Sequence, residues 1–251
     1  GAITPWNFPA SMVVRKVAPA LAAGGTVVLK PAEATPLTAL ALADLAMQAG
    51  FPAGVLNVIT SSDPKRVGEI LTSDVRVRKI SFTGSTRTGK ILMKQAAENI
   101  QKLSLELGGN APFFGFPSAD LDKAVAGAMA SKFRNAGQTC ICANRIFVHE
   151  DIYEAFLDRF VKAVGKLVVG NGLGKDVSIG PLINIQAIEK IEQMIDLAKK
   201  AGAEVLIGGK RHVLGKTYFE PTVITGVPLS CSLATEEIFG PVAVLYPFKT
   251  E

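Results

Sequence analysis

Metal ligands are scarce in this sequence. It carries two histidines, His149 and His212, and three cysteines, Cys140, Cys142 and Cys231, among 251 residues. Zinc takes three or four ligands at close, regular spacing, and the histidines lie far from one another and from the Cys140–Cys142 pair, so no metal site is expected. Three cysteines without a framework exclude a disulfide-stapled secreted domain. They favour a reducing intracellular compartment, either the cytoplasm or the mitochondrial matrix. No apolar run reaches the ~18–20 residues of a membrane helix. The best stretch, VAPALAAGGTVVL, is short and is broken by Pro19, Gly24 and Gly25. Basic residues do not run on either: adjacent pairs such as those at 65–66, 199–200 and 210–211 are short and separate. A net charge of +5 spread in this way makes no nucleic-acid stripe. Neither a nucleic acid nor a membrane is expected as a partner. No signal peptide is expected from the opening residues, and the chain opens on GAITPWNFP without a methionine and closes on YPFKTE. Both ends are expected to continue into a longer protein.

What the chain does have is an apolar, alternating order. Hydrophobic residues make up 48% and charged residues 20%, the composition of a folded core. Strands are predicted at 26–30, 55–59, 79–82 and 102–107, with helices between them at 35–50, 63–73 and 85–100. Thr35 and Asp63 stand as N-caps, each followed by proline at the first helical position. Strands alternating with helices imply parallel βαβ units with buried strands. A second α/β unit is predicted from strands at 111–116, 145–150, 204–209 and 219–227 and helices at 120–135, 151–167 and 185–202, with Asp120 as a cap. The division falls at 1–107 and 108–251, with ELGGN (106–110) as the hinge.

Four stretches carry chemistry. FTGSTRTG (82–89) follows a strand and opens a helix, so free N–H groups and the positive helix end are available to a phosphate; an ordinary glycine-bearing turn is the alternative. Lys30 and Glu33 lie just past a strand end, where open parallel sheets bind ligands. A carboxylate there accepts ribose hydroxyls and repels a 2′-phosphate, which favours NAD over NADP; a solvated ion pair is the alternative. Glu106 sits in the apolar run LELGG, where burial would raise its pKa toward that of a neutral-pH general base; a strand position facing water is the alternative. Cys140 and Cys142, two residues apart, fit a redox pair or a thiolate nucleophile. Cys231 has no such setting and His149 reads as a surface strand-end residue.

PWNFP (5–9), KPAE (30–33), FTGST (82–86), LELGGN (105–110), GQTC (137–140) and EEIFGP (236–241) occur in the order and approximate spacing of the aldehyde dehydrogenase superfamily, which the whole chain resembles. SKFRNAGQTCICANR (131–145) and GGKRHVLGKTYFEPT (208–222) resemble its succinate-semialdehyde branch. The resemblance implies an α/β fold, with a Rossmann-like parallel-sheet cofactor domain followed by a second α/β catalytic domain. It implies Cys140 as nucleophile, Glu106 as general base, and Asn7 as oxyanion donor with the backbone N–H of Cys140. Lys30, Glu33, Ser85 and Glu237 would hold NAD, with Trp6, Gly84 and Phe239 shaping its pocket. Arg15 and Arg134 would grip the far carboxylate of a small aldehyde, and Cys142 would be a disulfide partner of Cys140. About half of a family member is present, and a homo-oligomer is implied for the intact protein.

The implied reaction is chemically coherent with these residues. A trigonal aldehyde carbon does not readily lose hydride. Thiolate attack makes it tetrahedral, and a fixed donor to the resulting oxyanion is worth about 3–4 kcal/mol in comparable sites. Oxidation leaves a thioester for activated water to open. Succinate semialdehyde is the expected substrate, with glutarate semialdehyde or another carboxy-aldehyde as the alternative. Two non-catalytic readings stand beside it: an inactive partner of full-length subunits, and a redox-sensing module built on the two cysteines.

Overall fold

The computed structural model describes residues 1–250. The chain divides into two compact units, Gly1–Gly108 and a second from Gly109 onward.

The first unit is a parallel sheet with helices on both faces. Its elements are β1 (Ala2–Ile3), α1 (Pro9–Ala22), β2 (Val27–Lys30), α2 (Pro36–Gln48), β3 (Leu56–Val58), α3 (Pro64–Ser73), β4 (Lys79–Thr83), α4 (Thr86–Ala96) and β5 (Lys102–Glu106). All pairings are parallel, in the order β3-β2-β1-β4-β5. Successive strand side chains point to opposite faces, so a sheet covered on both sides needs apolar residues at every position. Strand β2 shows this. Val27 and Leu29 pack with Val13, Val17 and Ala39 of α1 and α2. Val28 joins Leu71, Ile80 and Leu92 on the face covered by α3 and α4.

The helix starts follow from local chemistry. Asp63 accepts from Arg66 N at 3.0 Å, and Ser85 from Thr88 N at 3.2 Å. The expected cap at Thr35 is not made: its hydroxyl takes no bond from the first turn of α2. Pro36, with its preset φ, begins that helix instead. Strand β1 and helix α1 escape a reading by pattern, since β1 has two residues and α1 contains Pro19.

The second unit contains β6 (Ala111–Gly115), α5 (Leu121–Phe133), β7 (Ala143–His149), α6 (Glu150–Val164), α7 (Ile185–Lys200), β8 (Glu204–Ile207), β9 (Thr222–Thr225), α8 (Ser232–Thr235) and β10 (Val242–Phe248). The sheet order is β6-β7-β10-β9-β8, with β8 antiparallel to β9 and the other pairs parallel. Strand β10, absent from the predicted elements, is the central strand. One core joins β7, β9 and β10 to α5, α6 and α7, with Ile146, Phe156, Phe160, Ile188, Val223 and Leu245 fully buried. Asp120 caps α5 by accepting from Asp122 N and Lys123 N. His149 is more than a strand-end residue: its Nδ1 accepts from Asp151 N at 3.3 Å and caps α6, and Nε2 pairs with Lys249 O at 2.9 Å.

Ile146 lies on β7 at 0% exposure. Ile146→Ala is expected to lower unfolding free energy by about 2–5 kcal/mol, read as a drop in the urea midpoint at unchanged slope.

Candidate functional site

In the first unit, the expected site residues converge by topology. Trp6 and Asn7 follow β1, Lys30 ends β2 and Glu33 follows it, Gly84 and Ser85 follow β4, and Glu106 ends β5. All therefore leave the sheet at its carboxyl edge. The strand order reverses at β1, flanked by β2 and β4, and such a switch point is where open α/β sheets bind ligands. Beside it, beyond β2, is a cleft of about 300 Å³ lined by Pro31, Ala32, Glu33, Pro36, Thr60 and Ser61. Lys30 is buried and paired with the exposed Glu33 carboxylate. Helix α4 has no acidic residue in its first turn. At Gly84, an added Cβ would stand 2.5 Å from the Phe82 ring, so the turn entering α4 excludes a side chain. A cleft with a carboxylate at its wall and an acid-free helix start fits a dinucleotide.

One expectation changes here. Glu106 is exposed rather than buried, because it is the last residue of β5 and reaches past the covering helices. Arg15 is exposed on α1.

The buried cation of this unit is Lys16, which pattern reading missed. It is 7% exposed and donates to Ser81 Oγ at 3.2 Å. Burial pulls its pKa down to about 8, against the favourable field of the Glu106 carboxylate, while Arg15 lowers it further.

In the second unit the nucleophile candidate sits on a strained loop. After α5, Asn135, Ala136 and Gly137 all take left-handed backbone, with φ of 51°, 55° and 73°. Left-handed backbone costs a residue with a Cβ roughly 1–2 kcal/mol. Gln138 holds the segment: Nε2 donates to Asn135 O at 3.2 Å, and Oε1 accepts from Ile183 N at 2.9 Å. A Cβ at Gly137 would overlap the Gly240 carbonyl. Cys140 follows, half-buried, while Cys142 is 3% exposed and donates from Sγ to Lys132 O at 3.4 Å. Both thiols are free.

Glu237 and Cys140 meet around Gly109. The Gly109 N–H donates to Glu237 Oε1 at 3.2 Å, and a Cβ at Gly109 would press to 3.3 Å from the Cys140 carbonyl oxygen. Partial burial raises the Glu237 pKa, opposed by that N–H and by Lys190, whose Nζ donates to Glu237 O at 2.6 Å. Phe239, two residues on, is also left-handed at φ 57°. Arg134 is exposed just past α5. Among the described residues, no three His, Cys, Asp or Glu side chains converge on one point, and no helix is long and apolar enough to cross a membrane.

The model of the aldehyde dehydrogenase family matches residues 1–251. The chain belongs to that family. It is 57% identical over 251 residues to the mitochondrial succinate-semialdehyde dehydrogenase of Oryza sativa subsp. japonica, covering 100% of this chain and 47% of that protein. It is also 57% identical over 250 residues to the NADP(+) succinate-semialdehyde dehydrogenase GabD of Escherichia coli K12, covering 100% of this chain and 52% of that one. A crystal structure of an E. coli NADP-dependent enzyme superposes with a TM-score of 0.98 at 57% identity, over 100% of this chain and 52% of that one. A succinate-semialdehyde dehydrogenase from Burkholderia pseudomallei gives 0.97 at 57%, over 99% and 52%. The chain spans about half the length of the curated relatives it matches. Its mixed α/β fold, with a parallel first sheet and a second sheet, is the aldehyde dehydrogenase fold over that span.

Motif order marks the family; Lys16 and Lys132 emerge from burial. A lysine in an Ala- and Val-rich helix reads as solvated until packing shows otherwise.

The depressed pKa of Lys16 has a stability consequence. Between pH about 8 and its ordinary value of 10.5, the unfolded chain binds more protons at this lysine than the folded one. Its unfavourable contribution is therefore full below pH 8 and relieved as pH climbs through the window. The urea midpoint of the parent, taken relative to Lys16→Met, is expected to rise across that window and stay flat below it. A difference that does not change with pH would show that Lys16 titrates normally.

Proposed function

We propose that the protein of which this chain is a part oxidises a short aldehyde carrying an anionic far end, succinate semialdehyde foremost, to the corresponding acid with NAD. The observation that carries this reading is the 57% identity, over the whole chain, to two enzymes named for that aldehyde. Glutarate semialdehyde is the second reading, favoured by the 55% identity to a glutarate-semialdehyde dehydrogenase of Pseudomonas aeruginosa. A Pseudomonas putida relative named for 3-sulfolactaldehyde, also 55% identical, extends the same pattern to a sulfonate. All three names describe an aldehyde with a fixed negative charge at a distance.

Cys140 attacks the aldehyde carbon through sulfur. The Asn7 amide and the Cys140 backbone N–H donate to the oxyanion that forms. Bound NAD supplies the hydride acceptor. Trp6, Lys30, Glu33, Gly84, Ser85, Glu237 and Phe239 would hold it, with Glu33 accepting hydrogen bonds from ribose hydroxyls. Glu106 takes a proton from the water that opens the thioester, and its exposed position at the end of β5 gives water access. Arg15 and Arg134 pair with the substrate's far anion through charge-assisted hydrogen bonds. The intact protein is a homo-oligomer working in the cytoplasm or the mitochondrial matrix.

NADH formation is the direct test, with succinate semialdehyde and an uncharged aldehyde of similar length. Preference for the charged substrate by ~10- to 100-fold in kcat/KM is expected from a charged hydrogen bond. Cys140→Ala is expected to abolish turnover. Equal use of both aldehydes would sink the anionic substrate class, and turnover by the variant would sink the nucleophile.

Cofactor choice rests on Glu33, since a carboxylate at the ribose repels a 2′-phosphate. The E. coli relative is named for NADP(+), so preference is decided within this branch. Glu33→Gln is expected to raise NADP use relative to NAD by about tenfold, or ~1.4 kcal/mol. An unchanged ratio would remove Glu33 from that role.

A further inference from the structure

Two buried groups of the second unit take no part in the chemistry above. Lys132, in the last turn of α5, is 0% exposed. Its amine donates to Asn144 Oδ1 at 3.1 Å, a neutral acceptor two residues beyond Cys142, and the Cys142 sulfur acts on it electrostatically. That thiol donates to the main-chain oxygen of the same lysine at 3.4 Å. The Cys142 sulfur is thus held against the Lys132 backbone, and the Lys132 amine against a residue of the strand that follows Cys142. Asn144 is fixed in turn by Nδ2, which donates to Gly109 O at 3.4 Å. Glu237 is the carboxylate that acts on this lysine, and its field favours the ammonium.

We propose that Lys132 and Cys142 form a reversible nitrogen–sulfur crosslink when the protein meets hydrogen peroxide. In the first step the Cys142 sulfur attacks the O–O bond. A sulfur–oxygen bond forms, and the other oxygen leaves as water with the thiol proton. Sulfur is oxidised to a sulfenic acid and the peroxide is reduced. In the second step the lone pair of the uncharged Lys132 amine attacks that sulfur. The sulfur–oxygen bond breaks, and the departing hydroxyl takes an amine proton to leave as a second water. A sulfenic acid condensing with a nearby nitrogen gives a sulfenamide, and external thiols return it to amine and thiol.

Three features favour this outcome. Burial lowers the Lys132 pKa, which favours the uncharged amine over the ammonium relative to an ordinary lysine. At 3% exposure Cys142 is reached more readily by an oxidant near the size of water than by a bulky thiol, so return by external thiols is the slower step. Both groups are fixed in one small part of the core, the sulfur on the Lys132 carbonyl oxygen and the amine on Asn144, two residues past Cys142. The Cys-x-Cys spacing suggests Cys140 as the competing partner, and the two products differ in connectivity.

Trypsin separates them. It cuts after Lys123, Lys132, Arg134 and Arg145, so a disulfide between Cys140 and Cys142 stays inside the single peptide 135–145. A linked Lys132 resists cleavage and ties peptide 124–134 to 135–145. The chain is treated with hydrogen peroxide, its free thiols are blocked with N-ethylmaleimide in acid denaturant, and the digest is weighed by mass spectrometry. Expected is the joined pair, lighter than the two peptides together by two hydrogens, present in the parent and in Cys140→Ala, and split by dithiothreitol. Lys132→Arg is expected to lose it; the parent and Cys140→Ala decide the matter even where that variant does not fold. An internal disulfide as the sole product overturns the proposal, as does oxidised Cys142 without the link or Cys142 recovered fully blocked. The readout involves no turnover, so either result leaves the aldehyde reading untouched.

Discussion

Because β1 to β5 run in one direction, every chain segment leaving the first sheet by a carboxyl end emerges at the same edge. This directional constraint assembles the site of that unit. Residues as far apart in sequence as Asn7, Glu33, Ser85 and Glu106 are placed at strand ends by pairing alone, before any side chain contributes. The helices packed on the two faces make the arrangement stable, and they also force each strand to be apolar throughout. Polar function is consequently confined to the ends and the loops.

The second unit solves a different problem. It must present a half-buried thiol on a loop that neither unwinds nor collapses. Its large core, spread over β7, β9, β10 and the three long helices, supplies the stability, and the loop from Asn135 to Cys142 spends part of it. Three successive left-handed residues are tolerated because Gln138 is bonded on both sides and because Gly137 lets the Gly240 carbonyl approach. Strain at this point is consistent with a segment held in shape by its surroundings rather than by its own preferences.

Buried lysines recur in both units, and each stands near a residue with a proposed chemical role: Lys16 in the field of Glu106, Lys132 in that of Glu237. Burying a cation without a close carboxylate partner is unfavourable, so each depends on neutral oxygens such as Ser81 Oγ and Asn144 Oδ1. These positions tie the cores to the loops above them.

The alternation of strands and helices, the caps at Asp63 and Asp120, and the six ordered motifs were legible in the sequence, because each depends on residues close along the chain. The nucleophile candidate and the Gly84 turn belong to the same class. The short β1, the proline-bearing α1 and the central β10 were not, since their existence depends on partners distant in sequence. Burial was legible in neither direction. Glu106 lies in an apolar run yet is exposed where β5 ends, while Lys132, which no local pattern marked out, is fully buried. Local sequence determined which elements form and which chemical groups are available. Tertiary packing alone decided which of those groups meet water and which meet one another, because solvent exposure and side-chain neighbours are set by contacts between elements that no local pattern records.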